Sequence, residues 1–122
     1  MLNGQLLTIG TTTNNGLAQN STNFSKPLPF DYCEGFTSAL ITLSAGSVTI
    51  TQQCAQFVDG PWYDPVDGTN TAIGVVCTTM SVARFVQFNP VMSPFIRFKC
   101  VETNVASTTI EFRLNYMERG RV

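Results

Sequence analysis

Two segments near the C-terminus alternate apolar and polar side chains with a period of two, and this pattern restricts the fold strongly. In residues 94–102 (PFIRFKCVE) the apolar side chains that share one face are Ile96, Phe98 and Cys100. In residues 108–117 (TTIEFRLNYM) they are Ile110, Phe112, Leu114 and Tyr116. This period is typical of antiparallel strands with one buried and one solvated face. The short linker ETNVA further predicts that the two strands form a hairpin, and one allowed register places Arg97 opposite Glu111.

Strand signals recur along the chain, and no segment has the apolar spacing of a three-turn helix. Thr, Val and Ile, which favour strands, make up 33 of the 122 residues. Residues 36–43 and 47–53, separated by the turn Ser44–Gly46, predict a second hairpin. Residues 71–79 and 83–88 predict further strands. The sequence therefore predicts an all-β domain, an antiparallel β-sandwich of about seven or eight strands.

The first 25 residues carry no charged side chain and consist mainly of Thr, Asn, Gln, Gly and Ser with isolated apolar residues. Such a segment cannot form a core alone and is expected to extend over a neighbouring surface. The prolines of KPLPF then impose an extended backbone. We predict an extended N-terminal arm over residues 1–30, a β-sandwich domain over 31–117 and a C-terminal tail over 118–122. The side chains expected to anchor the arm on a partner are Leu2, Leu6, Leu7 and Ile9.

The composition excludes several kinds of chemistry. Histidine is absent, which excludes Ser-His-Asp and Cys-His catalytic groups and histidine-ligated metals. The acids Glu34, Glu102 and Glu111 are isolated in the sequence, so we expect no enzymatic activity, no catalytic residues and no cofactor. The net charge of −1 argues against nucleic-acid binding. No secretory signal or membrane span is expected from the sequence pattern.

The cysteines do not have the spacing of a metal site. Cys33, Cys54, Cys77 and Cys100 contain no CxxC pair, and an even number would also permit two disulfides. We prefer the interpretation that they are free, mostly buried thiols in a reducing cytosol, where they pack as small apolar side chains.

Residues 59–70 (DGPWYDPVDGTN) form the main candidate binding loop. Its acidic side chains are Asp59, Asp64 and Asp67. Their oxygens suggest a calcium ion, but Asp-Gly and Asp-Pro are ordinary turn formers, so we prefer turn formation and predict no metal. Trp62 and Tyr63 are adjacent aromatics with polar groups, and they are candidates for contact with a partner protein or a sugar ring. A lid over one end of the sandwich is the competing interpretation.

The two halves of the chain carry opposite charge. Residues 1–83 contain one lysine and five acids, whereas residues 84–122 contain six basic and three acidic residues. Such a distribution favours association with copies of the chain or with a charged surface. Alternatively, the strands of the two halves are interleaved in the sandwich, and their opposite charges then cancel.

Three tracts carry a family resemblance: MLNGQLLTIGTTTNNG, DGPWYDP, and ARFVQFNPVMSPFIRFKCVETNVASTTIEFRLNY. Together they resemble the small capsid decoration (cement) proteins of tailed bacteriophages, and the last tract is also similar to the closing strands of jelly-roll phage virion modules and discoidin-like domains. The resemblance implies a jelly-roll-like sandwich and a virion structural role on the capsid exterior, after assembly in the host cytoplasm. The implied partners are the major capsid protein and copies of the chain in a homotrimer.

Two other functions remain open. A neck or tail component of the same virion would use a similar small β module. A carbohydrate-binding module would use Trp62 and Tyr63 with Asp59 or Asp64; otherwise no small-molecule ligand is expected.

Overall fold

The computed structural model describes residues 2–7, 9, 16–30, 33–81 and 83–118. These residues form ten β-strands and contain no helix, which confirms the all-β prediction. In this part of the chain no helix could therefore cross a bilayer. In chain order the strands are β1 (Leu2–Leu7), β2 (Gly16–Leu17), β3 (Thr22–Phe24), β4 (Leu28–Pro29), β5 (Cys33–Leu43), β6 (Val48–Ala55), β7 (Val75–Met80), β8 (Arg84–Phe88), β9 (Phe95–Glu102) and β10 (Thr108–Glu118).

The strands form two antiparallel sheets. Sheet I has the order β1-β10-β5-β8, with β2 also paired to β10, and sheet II has the order β3-β9-β6-β7, with β4 also paired to β9. The pairs are nested along the chain: β1 with β10, β3 and β4 with β9, β5 with β8, and β6 with β7. Nested pairing of this kind describes one long hairpin rolled into two sheets, which is the jelly-roll arrangement. The predicted antiparallel β-sandwich is confirmed.

Both predicted hairpins are wrong. β9 belongs to sheet II and β10 to sheet I, and β5 and β6 are divided between the sheets in the same way. Arg97 lies opposite Gln53, whereas Glu111 lies opposite Thr42 and accepts a hydrogen bond from Arg113. The alternation of side chains is the same whether a strand pairs with its sequence neighbour or with a distant strand. The local pattern therefore predicts the strands but not their partners.

The core lies between the two sheets, and an aromatic cluster joins them. Phe98 of sheet II is fully buried, and its ring centroid lies 4.9 Å from that of Phe112 and 6.1 Å from that of Phe88, both in sheet I. Complete burial of one such side chain contributes about 1.5–3 kcal/mol. The cluster therefore stabilises the packing of one sheet on the other.

The described part of residues 1–30 belongs to the sandwich, which corrects the expected separate arm. β1 pairs with β10 along its whole length, and β3 and β4 pair with β9. Leu7, Ile9 and Leu17 are only 6%, 0% and 2% exposed, because they fill core positions between the sheets. Phe30, the last residue of the predicted arm, is itself buried. Up to Phe30, the described residues therefore belong to the folded body.

Glu102 fastens three loops at one end of the sandwich. Its fully buried carboxylate accepts hydrogen bonds from the backbone amides of Asn20 at 2.9 Å, Val105 at 3.1 Å and Ser47 at 3.4 Å. These hydrogen bonds, with that from Asn20 the strongest influence, hold the pKa of Glu102 below its ordinary value, although burial opposes them. A single ionised side chain therefore serves as the shared acceptor for these loops.

Three of the four cysteines are free thiols, as the sequence interpretation preferred: Cys54, Cys77 and Cys100. Burial raises the pKa of Cys77, and it raises the pKa of Cys100 to about 12. The side chain of Cys33 lies outside the described residues. The two buried thiols act as small core residues.

Candidate functional site

The loop between β6 and β7, residues 56–74, is fixed against sheet II by backbone contacts. The amides of Cys54 and Tyr63 each donate to the other residue's carbonyl oxygen at 2.9 Å. Further along, the amide of Gln52 donates to the carbonyl oxygen of Gly74 at 2.7 Å. A Cβ at Gly74 would lie 2.7 Å from the carbonyl oxygen of Gln52, so the close approach requires glycine. The loop is therefore held at both ends.

A stacked cation lies on the outer face of sheet II, where Arg97 projects away from the core. The guanidinium carbon of Arg97 is 4.1 Å from the ring centroid of Phe24 and 4.6 Å from that of Trp62. Contacts of this kind contribute about 0.5–1 kcal/mol each at exposed sites. We call Phe24, Arg97 and Trp62 the Arg97 stack. It connects β3, β9 and the 56–74 loop.

Polar contacts extend from the stack across the same face. Arg97 Nε donates to Gln53 Oε1 at 2.7 Å, and Gln53 Nε2 donates to Asp64 Oδ1 at 2.8 Å. The other carboxylate oxygen of Asp64 lies 3.4 Å from Lys99 Nζ. The hydrogen bond from Gln53 and, to a smaller extent, Lys99 lower the pKa of Asp64, although burial opposes them. Burial lowers the pKa of Arg97, and Asp64 opposes that shift.

At neutral pH this face carries two cations, Arg97 and Lys99, and one anion, Asp64. One positive charge is therefore not neutralised. Asp64 has an ion pair with Lys99, whereas the ring faces of Phe24 and Trp62 cover the guanidinium of Arg97. The outer face of sheet II is therefore weakly basic at this point.

The 56–74 loop, which contains Trp62 of the stack, also exposes large apolar side chains. They are Phe57 (69% exposed), Tyr63 (63%), Val58 (49%), Val66 (47%) and Ile73 (42%). Phe57 and Val58 lie in a tight turn, in which the amide of Gly60 donates to the carbonyl oxygen of Phe57 at 2.9 Å. Exposed apolar groups of this size, when they occur together, mark interaction sites. The loop is the candidate contact surface of the molecule.

The structure separates the two aromatic residues that the sequence placed in one platform. Trp62 packs on Arg97 at the outer face of sheet II. Tyr63 forms the backbone bridge to Cys54, and because successive side chains on an extended backbone point in opposite directions, it faces away from Trp62. Either residue can contact a partner, but they do not present one flat surface.

The other predicted contact residues lie on β1 or just after it. Leu7 and Ile9 are buried in the chain's own core, so they are not available to a partner, and their predicted anchoring role is corrected. Leu2 and Leu6 belong to β1, but their side chains lie outside the described residues. Their predicted role stays a prediction.

Asp67 closes a turn, as the preferred interpretation of its loop expects. Its Oδ1 accepts hydrogen bonds from the Thr69 amide at 2.8 Å, the Thr69 hydroxyl at 2.7 Å and the Thr71 amide at 3.0 Å. These hydrogen bonds, led by that from the Thr69 hydroxyl, hold the pKa of Asp67 below its ordinary value. In the described ranges, no three acidic or cysteine side chains lie close enough to hold a metal ion.

The fold and this surface define a jelly-roll β-sandwich with an exposed, rigidly held apolar loop. Comparison of the chain with protein-family models, with curated proteins and with solved structures finds no match. Trp62 was a predicted contact residue, whereas its partners Phe24 and Arg97 were not. A signal for Arg97 was present, since it is an outward-facing cation within an alternating strand.

Proposed function

We propose that this protein is a non-enzymatic structural protein of a virion, a capsid decoration protein that binds the major capsid shell as an oligomer. The observation that carries the proposal is the exposed apolar loop of residues 56–74, which the Arg97 stack holds against sheet II. Jelly rolls occur in viral capsid proteins and in lectins. The fold is therefore compatible with the proposal, but support for the function has to come from the site.

The size and stiffness of the exposed aromatic surface suit adhesion. Phe57 and Phe24 are 69% and 43% exposed. Since an aromatic side chain offers about 150–250 Å² of surface, the two present about 220 Å² in total. A standard protein interface buries about 800 Å² on each partner, so these residues can supply about a quarter of that area. Because the loop is already ordered, binding loses little conformational entropy.

The proposed contact lies on the loop and not on an N-terminal arm. The sequence favoured residues 1–30 as the adhesive segment, but Leu7, Ile9, Leu17, Leu28 and Phe30 fill the core. The loop of residues 56–74 takes that role, because its apolar side chains face solvent while its backbone is fixed to sheet II.

A pelleting assay tests this proposal. The purified chain is mixed with shells of the major capsid protein from the virus that encodes it, and the shells are sedimented. The wild-type chain should pellet with the shells, whereas F57S/V58S should stay in the supernatant. V105S is the matched control and should pellet normally, because Val105 is 61% exposed but lies at the opposite end of the sandwich. A wild-type chain that stays in solution contradicts the proposal.

The carbohydrate-binding alternative has less support from the geometry. Arg97 covers one face of Trp62, Tyr63 points the other way, and Asp64 is engaged with Lys99. Trp62 is the only tryptophan of the chain, so its fluorescence reports on this surface directly. Titration with sugars up to millimolar concentration should leave the fluorescence unchanged. Saturable quenching would favour the carbohydrate-binding module.

A further inference from the structure

We propose that one copy of the chain binds the next through Asp59, whose carboxylate docks on the free edge of the Arg97 guanidinium. This inference rests on the self-association included in the proposed function, and it names the contact that carries it.

Arg97 presents unused hydrogen-bond donors in a fixed orientation. The rings of Phe24 and Trp62 both stack with its guanidinium, and its Nε donates to Gln53. No hydrogen bond from Nη1 or Nη2 to another described residue is found. The two Nη groups form a planar fork that matches the two oxygens of a carboxylate. Because the rings already hold the guanidinium, little side-chain entropy is lost when an acid binds it.

Because Arg97 is positively charged, the group that binds its free Nη donors should be acidic. Asp64, the described acid whose charge acts on Arg97, is engaged by Gln53 and Lys99. The ion pairs of the described residues are Asp64 with Lys99 and Glu111 with Arg113, so no carboxylate among the described residues forms an ion pair with Arg97. A second copy can supply one.

Asp59 is the carboxylate suited to this site. It lies in the exposed turn that carries Phe57 and Val58, and no described residue donates a hydrogen bond to it or forms an ion pair with it. An acid flanked by exposed apolar side chains can bring its charge to a guanidinium while its neighbours exclude water, which strengthens the pair. The two halves of the chain fit this arrangement, since Asp59 lies in the acidic part and Arg97 in the basic part.

Sedimentation velocity of the full chain over a concentration series tests the contact. Wild-type chain should assemble, and D59R should weaken assembly on the order of tenfold or more because it places two like charges together. E111R is the matched control: it makes the same charge reversal at an exposed side chain on the outer face of sheet I and should assemble as wild type. The double reversal D59R/R97E should recover assembly relative to D59R.

Each result decides the question. A wild-type chain that is monomeric at every concentration overturns both this contact and the oligomeric part of the proposed function. Normal assembly of D59R, or equal loss in D59R and E111R, overturns the contact alone. Circular dichroism verifies that each variant is folded. If D59R/R97E does not fold, R97K replaces it: lysine keeps the charge but lacks the fork, so unchanged assembly of R97K overturns the proposal.

Discussion

Replacing Ile9 with alanine should destabilise the domain as much as a substitution at the centre of the sandwich. Ile9 is fully buried and belongs to the same core cluster as Leu7 and Leu17. The substitution removes three carbon atoms from a site without solvent contact, which loses about 0.8 kcal/mol per carbon in transfer free energy. The cavity left behind adds to this loss, so the expected decrease in the free energy of unfolding is about 2–5 kcal/mol.

Urea denaturation followed by circular dichroism measures this decrease. For a domain of this size the midpoint should fall by about 1–2 M urea. V105A is the control, because Val105 is 61% exposed and its truncation should change stability by less than about 0.5 kcal/mol. If Ile9→Ala behaves like V105A, the first nine residues contribute nothing to the core. The detachable arm predicted from the sequence would then be right.

Three further predictions concern buried groups. Thr37 is 2% exposed and its hydroxyl has no hydrogen-bond partner among the described residues, so Thr37→Val should raise the melting temperature by relieving a penalty of about 1–3 kcal/mol; a lower melting temperature contradicts this. The lowered pKa of Glu102 means that its ionised form stabilises the fold above the ordinary pKa of 4.5 and that this stabilisation is lost as pH falls through the folded-state pKa. The difference in urea midpoint between wild type and Glu102→Gln should therefore be widest at about pH 7 and shrink toward about pH 3, whereas a constant difference argues against the ionised acceptor. Peptide mapping after treatment with a thiol reagent should find Cys54 labelled before Cys77 and Cys100, because the buried thiols have raised pKa values; equal labelling in the folded protein contradicts this.

The individual strands were predictable from the sequence because alternation is a local property. The predicted segments 94–102 and 108–117 match β9 and β10 to within one residue at each end. The predicted segment 47–53 begins one residue before β6 and ends two residues before the end of that strand. The partners of these strands depend on how the long hairpin rolls, and no local pattern encodes that. Both hairpin predictions therefore failed although the strands themselves are present.

The N-terminal segment was misinterpreted for a related reason. β2 and β4 contain two residues each, which is too short to show a period, yet Leu17 and Leu28 within them are buried. Isolated apolar residues in a polar run indicate an exposed tail when considered locally. In the rolled hairpin, these isolated apolar residues fill separate positions of one core.

The candidate site was only half predictable. Trp62 was a candidate because an aromatic side chain in a Gly- and Pro-containing loop often makes contacts. The stack that holds it requires β3 beside β9 and the loop folded over the outer face of sheet II. Phe24 and Arg97 are 73 positions apart in the sequence, and their contact follows from the sheet order alone.

The mass of the wild-type chain in native buffer decides whether this protein works as an assembly of copies. Native mass spectrometry at micromolar concentration should find a species of three times 13.3 kDa, the homotrimer implied by the resemblance to decoration proteins. A sixfold or twelvefold ring would favour the neck or tail alternative. A mass of 13.3 kDa at every concentration would contradict the proposed oligomer and the contact between Asp59 and Arg97.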